Sequence, residues 1–208
     1  MDPTDRAKRS AQVVELLHQL PELSRPAGQD GTGNLATYRA LHEELDLGEA
    51  VHEWRRRNWT LHLPRIAADG PSPGARTMDF VVWDPHDPDA GLLPNRFGID
   101  EPEGAPVPVT ELDVVLVPCV AVDPTGTRVG FGAGYYDRAL APGVATTRRP
   151  TLIGVAFATQ QLASIARETW DVPLDVVVTD ASVIRPSGSP GQRGRGHGPG
   201  AGDDAPAR

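Results

Sequence analysis

Residues 113–140 read DVVLVPCVAVDPTGTRVGFGAGYYDRAL and hold, in succession, a strand, a turn, a glycine loop and the opening of a helix. Past its aspartate, the run from Asp113 to Pro118 is continuously apolar, the pattern of a strand buried on both faces of a parallel sheet. A turn follows at Asp123 to Gly126, then glycines at 130, 132 and 134, then a helix opening near Tyr135 to Asp137. Alternate glycines let the backbone enter conformations closed to other residues and turn several amides toward one ligand. The positive end of the following helix points at the same place, so phosphate oxygens are the natural guests. A plain strand-to-helix turn explains the same glycines. Residues 130–135, GFGAGY, fit neither standard nucleotide fingerprint: the third glycine comes one position early for the dinucleotide motif, and no Gly-Lys-Ser/Thr follows.

Working outward, Thr151 to Phe157 (TLIGVAF) reads as a second buried strand, Gln160 to Glu168 as a helix, and Val176 to Thr179 as a short final strand. On the other side, Met78 to Trp83 reads as a strand, and Asp84 to Glu103 as an irregular cover rich in Pro and Asp. The Gly/Pro/Ser-rich stretch from Ala67 to Ala75 is expected to be loop. Trp59 to Leu63 alternates like a strand that Pro64 should stop, and Leu47 to Arg57 has helical spacing. Leu35 to Tyr38 reads as a short strand after a loop from Ser24 to Gly33. Asp2-Pro3 followed by Val13, Val14, Leu16, Leu17 and Leu20 predicts a capped amphipathic helix ending near Pro21. Strands separated by helices predict a three-layer α/β domain, a mainly parallel sheet with helices on both faces, over residues 1–185. Residues 186–208 are too poor in apolar side chains to offset their ordering entropy and are expected to form a disordered tail.

Composition narrows the function. The 208 residues carry 20 Lys and Arg against 28 Asp and Glu, a formal charge of -8 that disfavours a nucleic-acid partner. Cys119 is the single cysteine, so an intrachain disulfide and a thiolate zinc cluster are both excluded, in keeping with a reducing cytoplasm. No apolar run approaches the roughly 20 residues of a membrane span, and MDPTDRAKRS lacks the pattern of a signal peptide. Next to the loop, Tyr135, Tyr136, Asp137 and Arg138 supply ring faces, a hard oxygen ligand and a cation. Mg²⁺ takes one or two carboxylates plus phosphate oxygens, which suits Asp137, although helix capping explains that residue as well. Arg128 and Arg138 read equally as solvated charges. Cys119 reads as a buried, inert thiol, and the ten-residue spacing of His42, His52 and His62 suits no common ligand pair.

RVGFGAGYYDR, residues 128–138, resembles the glycine-tyrosine signature of the 5-formyltetrahydrofolate cyclo-ligases, also called methenyltetrahydrofolate synthetases. The likeness extends over residues 2–185, through LPR at 63–65, FGIDEP at 97–102, LVPCVAVDPTGTR at 116–128, GVAFATQQ at 154–161 and WDVPLDVVVTD at 170–180. The resemblance implies a cytoplasmic, monomeric enzyme that converts 5-formyltetrahydrofolate and ATP, with Mg²⁺, to 5,10-methenyltetrahydrofolate, ADP and phosphate. It implies that Arg128, Val129, Gly130, Phe131, Gly132, Ala133, Gly134, Tyr135 and Tyr136 line ATP, with Arg128 and Tyr135 nearest the chemistry. It implies further that Phe131, Gly132, Ala133, Gly134 and Tyr135 face the folate with Glu44 of HEELD, and that Asp137 and Asp171 hold Mg²⁺. Glu44 also reads as an ordinary helix-start acid, and Asp171 as a loop residue.

The sequence departs from the family pattern in four places. The family opens with a helix bearing K-x-x-L-R whose cations reach the ATP phosphates; this sequence starts at what resembles the turn that follows it, and Lys8 and Arg9 do not match those positions. Weaker polyanion binding is expected, and with it an alternative: an impaired or non-catalytic folate or nucleotide binder. Ala133 stands where the family carries Gly or Lys, Trp170 where His is frequent, and Cys119 where a small residue is common.

Overall fold

Twelve strands and four α-helices form in the computed structural model, which describes residues 1–24, 26, 31–41, 44–66, 77–86, 91–95, 98–144 and 149–187. Helix α1 (Pro3–Gln19) starts as its sequence predicts: the Asp2 carboxylate accepts the Thr4 amide at 2.7 Å, and Pro3 sits in the first turn, where no amide is needed. It leads into the single turn α2 (Pro21–Ser24) and, after residues largely outside the described set, into strand β1 (Gly33–Ala36). That strand begins two residues before the predicted Leu35. Gly33 is needed there, because a Cβ would lie 2.8 Å from the Trp59 ring of the neighbouring strand. Helix α3 (Gly48–Arg56) buries Ala50, Val51 and Trp54 and ends through Asn58, whose φ of 65° is the left-handed stop that Asn tolerates best after Gly.

Strand β2 (Trp59–Ile66) runs past Pro64, against expectation. The reason lies in its neighbours. Parallel pairing with β1 covers only Trp59 to His62, whereas antiparallel pairing with β3 (Met78–Val82) reaches Ile66. The Leu61 carbonyl accepts from Trp83, so by alternation the nitrogen of Pro64 faces the side where β1 has already ended, and no ladder bond is lost. The expected loop at Ala67 to Ala75 lies outside the described residues. The predicted irregular cover contains a short antiparallel pair, β4 (Leu92–Pro94) with β5 (Asp100–Pro102), before β6 (Pro106–Val107) returns to β3.

Strand β7 (Val114–Pro118) is central and buried, as its apolar run requires. After the hairpin β8 (Ala121–Val122) and β9 (Arg128–Val129), helix α4 (Tyr135–Val144) crosses to β10 (Thr151–Val155). Strands β11 (Val176–Val178) and β12 (Val183–Ile184) complete an eight-stranded sheet of order β12-β11-β10-β7-β1-β2-β3-β6. The five strands from β11 to β2 are parallel and the outer ones antiparallel. Helices α1 and α3 pack on one face with Leu35, Leu61 and Leu116, and α4 packs on the other through Leu140 against Val115 and Val177. The three-layer α/β arrangement with a mainly parallel sheet is therefore present.

The predicted helix from Gln160 to Glu168 does not form. Only a 3₁₀ turn occurs, at Ala158–Gln160, and the chain then runs irregularly to β11. Two tertiary bonds take amides that a helix would need: Leu162 donates to the Val122 carbonyl at 2.8 Å, and Ile165 to the Asp123 carboxylate at 2.9 Å.

Candidate active site

Strands β1 and β7 are neighbours, yet the chain leaves them in opposite directions along the sheet: from β1 through α3 on one face to β2, and from β7 through α4 on the other face to β10. Such a reversal opens a crevice at the carboxyl ends of the two strands, where ligands of open α/β sheets bind. The loop after β1 carries Tyr38 and Glu44, and the chain after β7 carries Cys119, the β8–β9 hairpin and the glycine loop. Two stretches 80 residues apart in sequence are thus brought to one crevice by strand order alone.

Asp123 builds the hairpin. Its carboxylate is 1% exposed and accepts the amides of Thr125 and Thr127, the Thr125 hydroxyl and the distant Ile165 amide. Burial pushes this carboxyl up, but the hydrogen bonds outweigh it and hold it below the usual carboxylate range. Gly126 closes the turn at φ 78°, and Leu174 donates to its carbonyl at 2.9 Å, docking the hairpin on the chain that leads to β11. The backbone then passes through Gly130, exposed Phe131, Gly132 at φ 81°, Ala133 and Gly134 at φ 63° into α4. The Arg138 guanidinium folds back over this loop, donating to the Ala133 carbonyl and lying 5.7 Å from the Tyr135 ring centroid.

The Arg128 side chain is 6% exposed and is held on two sides, by the Val172 carbonyl and by Oδ1 of Asp137 at 2.6 Å. The same Oδ1 accepts the Val172 amide at 3.1 Å. Arg128 and Asp137 therefore clamp the start of α4 to the 171–172 segment, a role the sequence did not disclose. Asp171 precedes the clamped residue, and its carboxylate accepts the Glu168 amide through Oδ2 at 2.8 Å, whereas that of Asp137 accepts the Val172 amide. Among the described residues no group of three or more His, Cys, Asp or Glu could hold a metal ion on its own. Two hard carboxylates fit Mg²⁺ that arrives with phosphate oxygens and water, and do not fit a permanently resident metal.

Glu44 lies in a turn before α3, not at a helix start, and accepts the Leu41 amide at 2.9 Å. It faces a cavity of about 510 Å³ lined by Arg6, Tyr38, Arg39, His52 and Trp83. Burial raises its carboxyl above the ordinary range, against the opposing Leu41 bond. The field of Glu44 reaches the Tyr136 hydroxyl, which burial first and this charge second raise far above its usual value. The charge of Arg128 acts on the same hydroxyl in the opposite sense. Tyr38 donates its hydroxyl to the Leu45 carbonyl at 2.8 Å and shapes the cavity wall.

The bland expectations fare well too. Burial pushes the Cys119 thiol up to about 12, so it stays an inert thiol that donates to the Val117 carbonyl. Of the spaced histidines, His62 is buried in the sheet, His52 is exposed beside His86 with ring centroids 6.1 Å apart, and His42 lies outside the described residues. Arg9 bridges Asp5 and Asp180 at 3.0 Å each, committing its guanidinium to the fold, while Lys8 is exposed. That Arg6, Tyr38, Arg39, His52 and Trp83 line one cavity is not legible in the sequence, because no spacing rule links four separate elements; only a fold-level register does so. No helix among the described residues is long and apolar enough to cross a membrane.

The chain is 37% identical to the 5-formyltetrahydrofolate cyclo-ligase of Escherichia coli K12 over 178 residues, covering 78% of this chain and 93% of that one. With the Haemophilus influenzae protein of the same name the identity is 31% over 149 residues, 70% and 75% of the two chains. The solution structure of Aquifex aeolicus 5,10-methenyltetrahydrofolate synthetase superposes with a TM-score of 0.70 at 32% identity, over 95% of this chain and 89% of that one. The Mycoplasma pneumoniae 5,10-methenyltetrahydrofolate synthetase shares the fold at a TM-score of 0.63 and 19% identity. The family model described as the 5-formyltetrahydrofolate cyclo-ligase family matches residues 4–180, and with relatives this similar over most of their length, the chain belongs to that family.

Proposed function

We propose that this protein is an ATP-dependent ligase that closes 5-formyltetrahydrofolate to 5,10-methenyltetrahydrofolate with release of ADP and phosphate. The observation that carries the reading is the switch in strand order between β1 and β7, which brings the loop holding Glu44 and the glycine loop to the same end of the sheet. Glu44 is a half-buried carboxylate suited to accept two hydrogen bonds from a ring that presents adjacent N–H groups, as a pterin does. Amides of residues 130–134 and the start of α4 are suited to hold phosphate oxygens.

The difficulty of the reaction is that a formyl oxygen leaves poorly. Attack of that oxygen on the γ-phosphorus expels ADP and gives an imidate phosphate. The neighbouring folate nitrogen then attacks the formyl carbon, loses its proton, and phosphate departs with the former formyl oxygen. What the chain contributes is positioning and charge stabilisation. Tyr135 and Phe131 offer ring faces between the two substrates, and the Arg128–Asp137 clamp fixes the loop end from which they project. Asp137 and Asp171 would hold Mg²⁺, which when bound with ATP supplies charge neutralisation on the transferring phosphoryl group.

The direct test follows the absorbance of 5-formyltetrahydrofolate on conversion to the methenyl product by residues 1–208. Conversion is expected only when ATP and Mg²⁺ are both present. Tyr135→Ala should lower kcat at least 100-fold while its melting temperature stays within a few degrees of the parent. Asp171→Asn should raise the Mg²⁺ requirement. Asp137→Asn is the poorer probe, because it also strips the buried Arg128 of its partner. Absence of any ATP-dependent conversion by the folded protein would sink the reading.

A further inference from the structure

Helix α3 runs out through Arg55, Arg56 and Arg57, three guanidinium groups in succession. Among the described residues a single carboxylate, Glu53, serves two of them: its Oε2 accepts from Arg56, and its Oε1 from Nε of Arg57 at 2.8 Å. A second donor of Arg57 goes to the His18 carbonyl at 3.2 Å. Arg55 is left over. It is half-buried, and its hydrogen bond from Nη1 to the Trp59 carbonyl is long, at 3.5 Å. Its Nε is buried and has no partner among the described residues. A charged donor taken out of water without an acceptor costs more than an ordinary hydrogen bond returns, so such a group calls for an explanation.

Arg55 lines a cavity of about 300 Å³ together with Thr32, Arg56, Asn58, Thr60 and His86. Thr32 and Asn58 immediately precede β1 and β2, which run parallel, so this cavity lies at the amino ends of the strands, the opposite end of the sheet from the crevice. Its lining side chains are two guanidinium groups, an imidazole, an amide and two hydroxyls, with no carboxylate among them. The last carbonyls of α3 do not stand bare against an anion: the Arg57 amide donates to those of Glu53 and Trp54, and the Asn58 amide to that of Arg55. With Nη1 on the Trp59 carbonyl, the edge of Arg55 that carries Nε and Nη2 remains, two side-by-side donors that match two oxygens of one anion. A carboxylate would then have no oxygen left for Asn58 and Thr60, whereas a phosphate has two. We infer that this cavity is an oxyanion site for a phosphate group, which Arg55 grips by its Nε–Nη2 edge. The site lies outside the ligase reading and does not depend on it.

The experiment reads Arg55 itself. Inorganic phosphate and glycerol 3-phosphate are titrated into the full chain at constant ionic strength, and the arginine Nε–H signals are followed by ¹H–¹⁵N NMR. The signal that disappears in Arg55→Lys identifies Arg55, and in the parent it should shift and saturate in the millimolar range. By calorimetry, Arg55→Ala should weaken phosphate about tenfold, the worth of a hydrogen bond to a charged group. Arg56→Ala removes the same charge from a side chain committed to Glu53 and should cost less than about threefold. Arg55→Lys keeps the charge without the fork and should recover little of the loss. Tighter binding of glycerol 3-phosphate would make the natural occupant a phosphate group on a larger molecule, and tighter binding of phosphate would make it the free ion; either supports the site. An Arg55 signal unmoved by both anions would overturn it, and that is also the result if phosphate is held only at the glycine loop. Equal losses in Arg55→Ala and Arg56→Ala would overturn it as well, leaving a diffuse basic patch.

Discussion

Glu44 illustrates a tension that only appears at the scale of single residues. Its carboxyl is raised by burial, so the fold prefers it neutral, while a ring that donates hydrogen bonds prefers it charged. The part of stability linked to this group is fully present below the unfolded value near 4.3 and is lost as pH rises through the raised folded value. Glu44→Gln keeps an acceptor for the Leu41 amide and removes the buried charge. The variant is expected to melt about 1–3 °C higher at pH 7, with no gain at pH 4, as followed by circular dichroism. Its KM for 5-formyltetrahydrofolate is expected to rise roughly 10- to 100-fold, the worth of a hydrogen bond to a charged group. A lower melting temperature at pH 7 would mean that the charge is compensated in the free protein.

At the scale of elements, the β8–β9 hairpin is organised by one carboxylate, and that carboxylate also decides the fate of a segment 40 residues away. Sequence identifies the turn at Asp123 to Gly126, since Asp-Pro-Thr-Gly is turn chemistry. It gives no sign that the second oxygen of Asp123 captures the Ile165 amide and keeps residues 161–168 from forming a helix. Local propensity favoured the helix and tertiary hydrogen bonds overrode it, as they commonly do. Asp123→Asn should cost about 2–4 kcal/mol in urea unfolding at pH 7, because a hydrogen-bonded charge is removed from a buried site. Since its folded carboxyl is held low, the stabilisation exists above the unfolded value near 3.9 and is lost as pH falls through the folded value. The deficit of the variant should therefore shrink below about pH 3; a pH-independent deficit would point to packing alone.

For the whole molecule, the consequential feature is the order of strands. The switch between β1 and β7 turns two loops remote in sequence into one crevice, and the same order leaves β12 at an edge of the sheet. There Arg185 pairs with Glu22 at 2.6 Å, and Pro186 is buried against the Gly126 turn, one residue into what composition assigns to the tail. Truncation after Ser187 should leave the melting temperature unchanged, whereas truncation after Ile184 should lower it by several degrees. Equal melting of both would remove Arg185 and Pro186 from the fold's support. By itself the sequence determined the apolar runs of β7, β10 and β11, the capped start of α1, the glycine loop and its family signature. Each of these is written in neighbouring residues, where periodicity, caps and backbone freedom act. The Arg128–Asp137 clamp on Val172, the passage of β2 through Pro64, the lost helix after Gln160 and the cavity around Glu44 were decided by tertiary structure alone. In each of them the partner of a charge, an amide or a strand edge comes from another part of the chain, and only strand order determines which part that is.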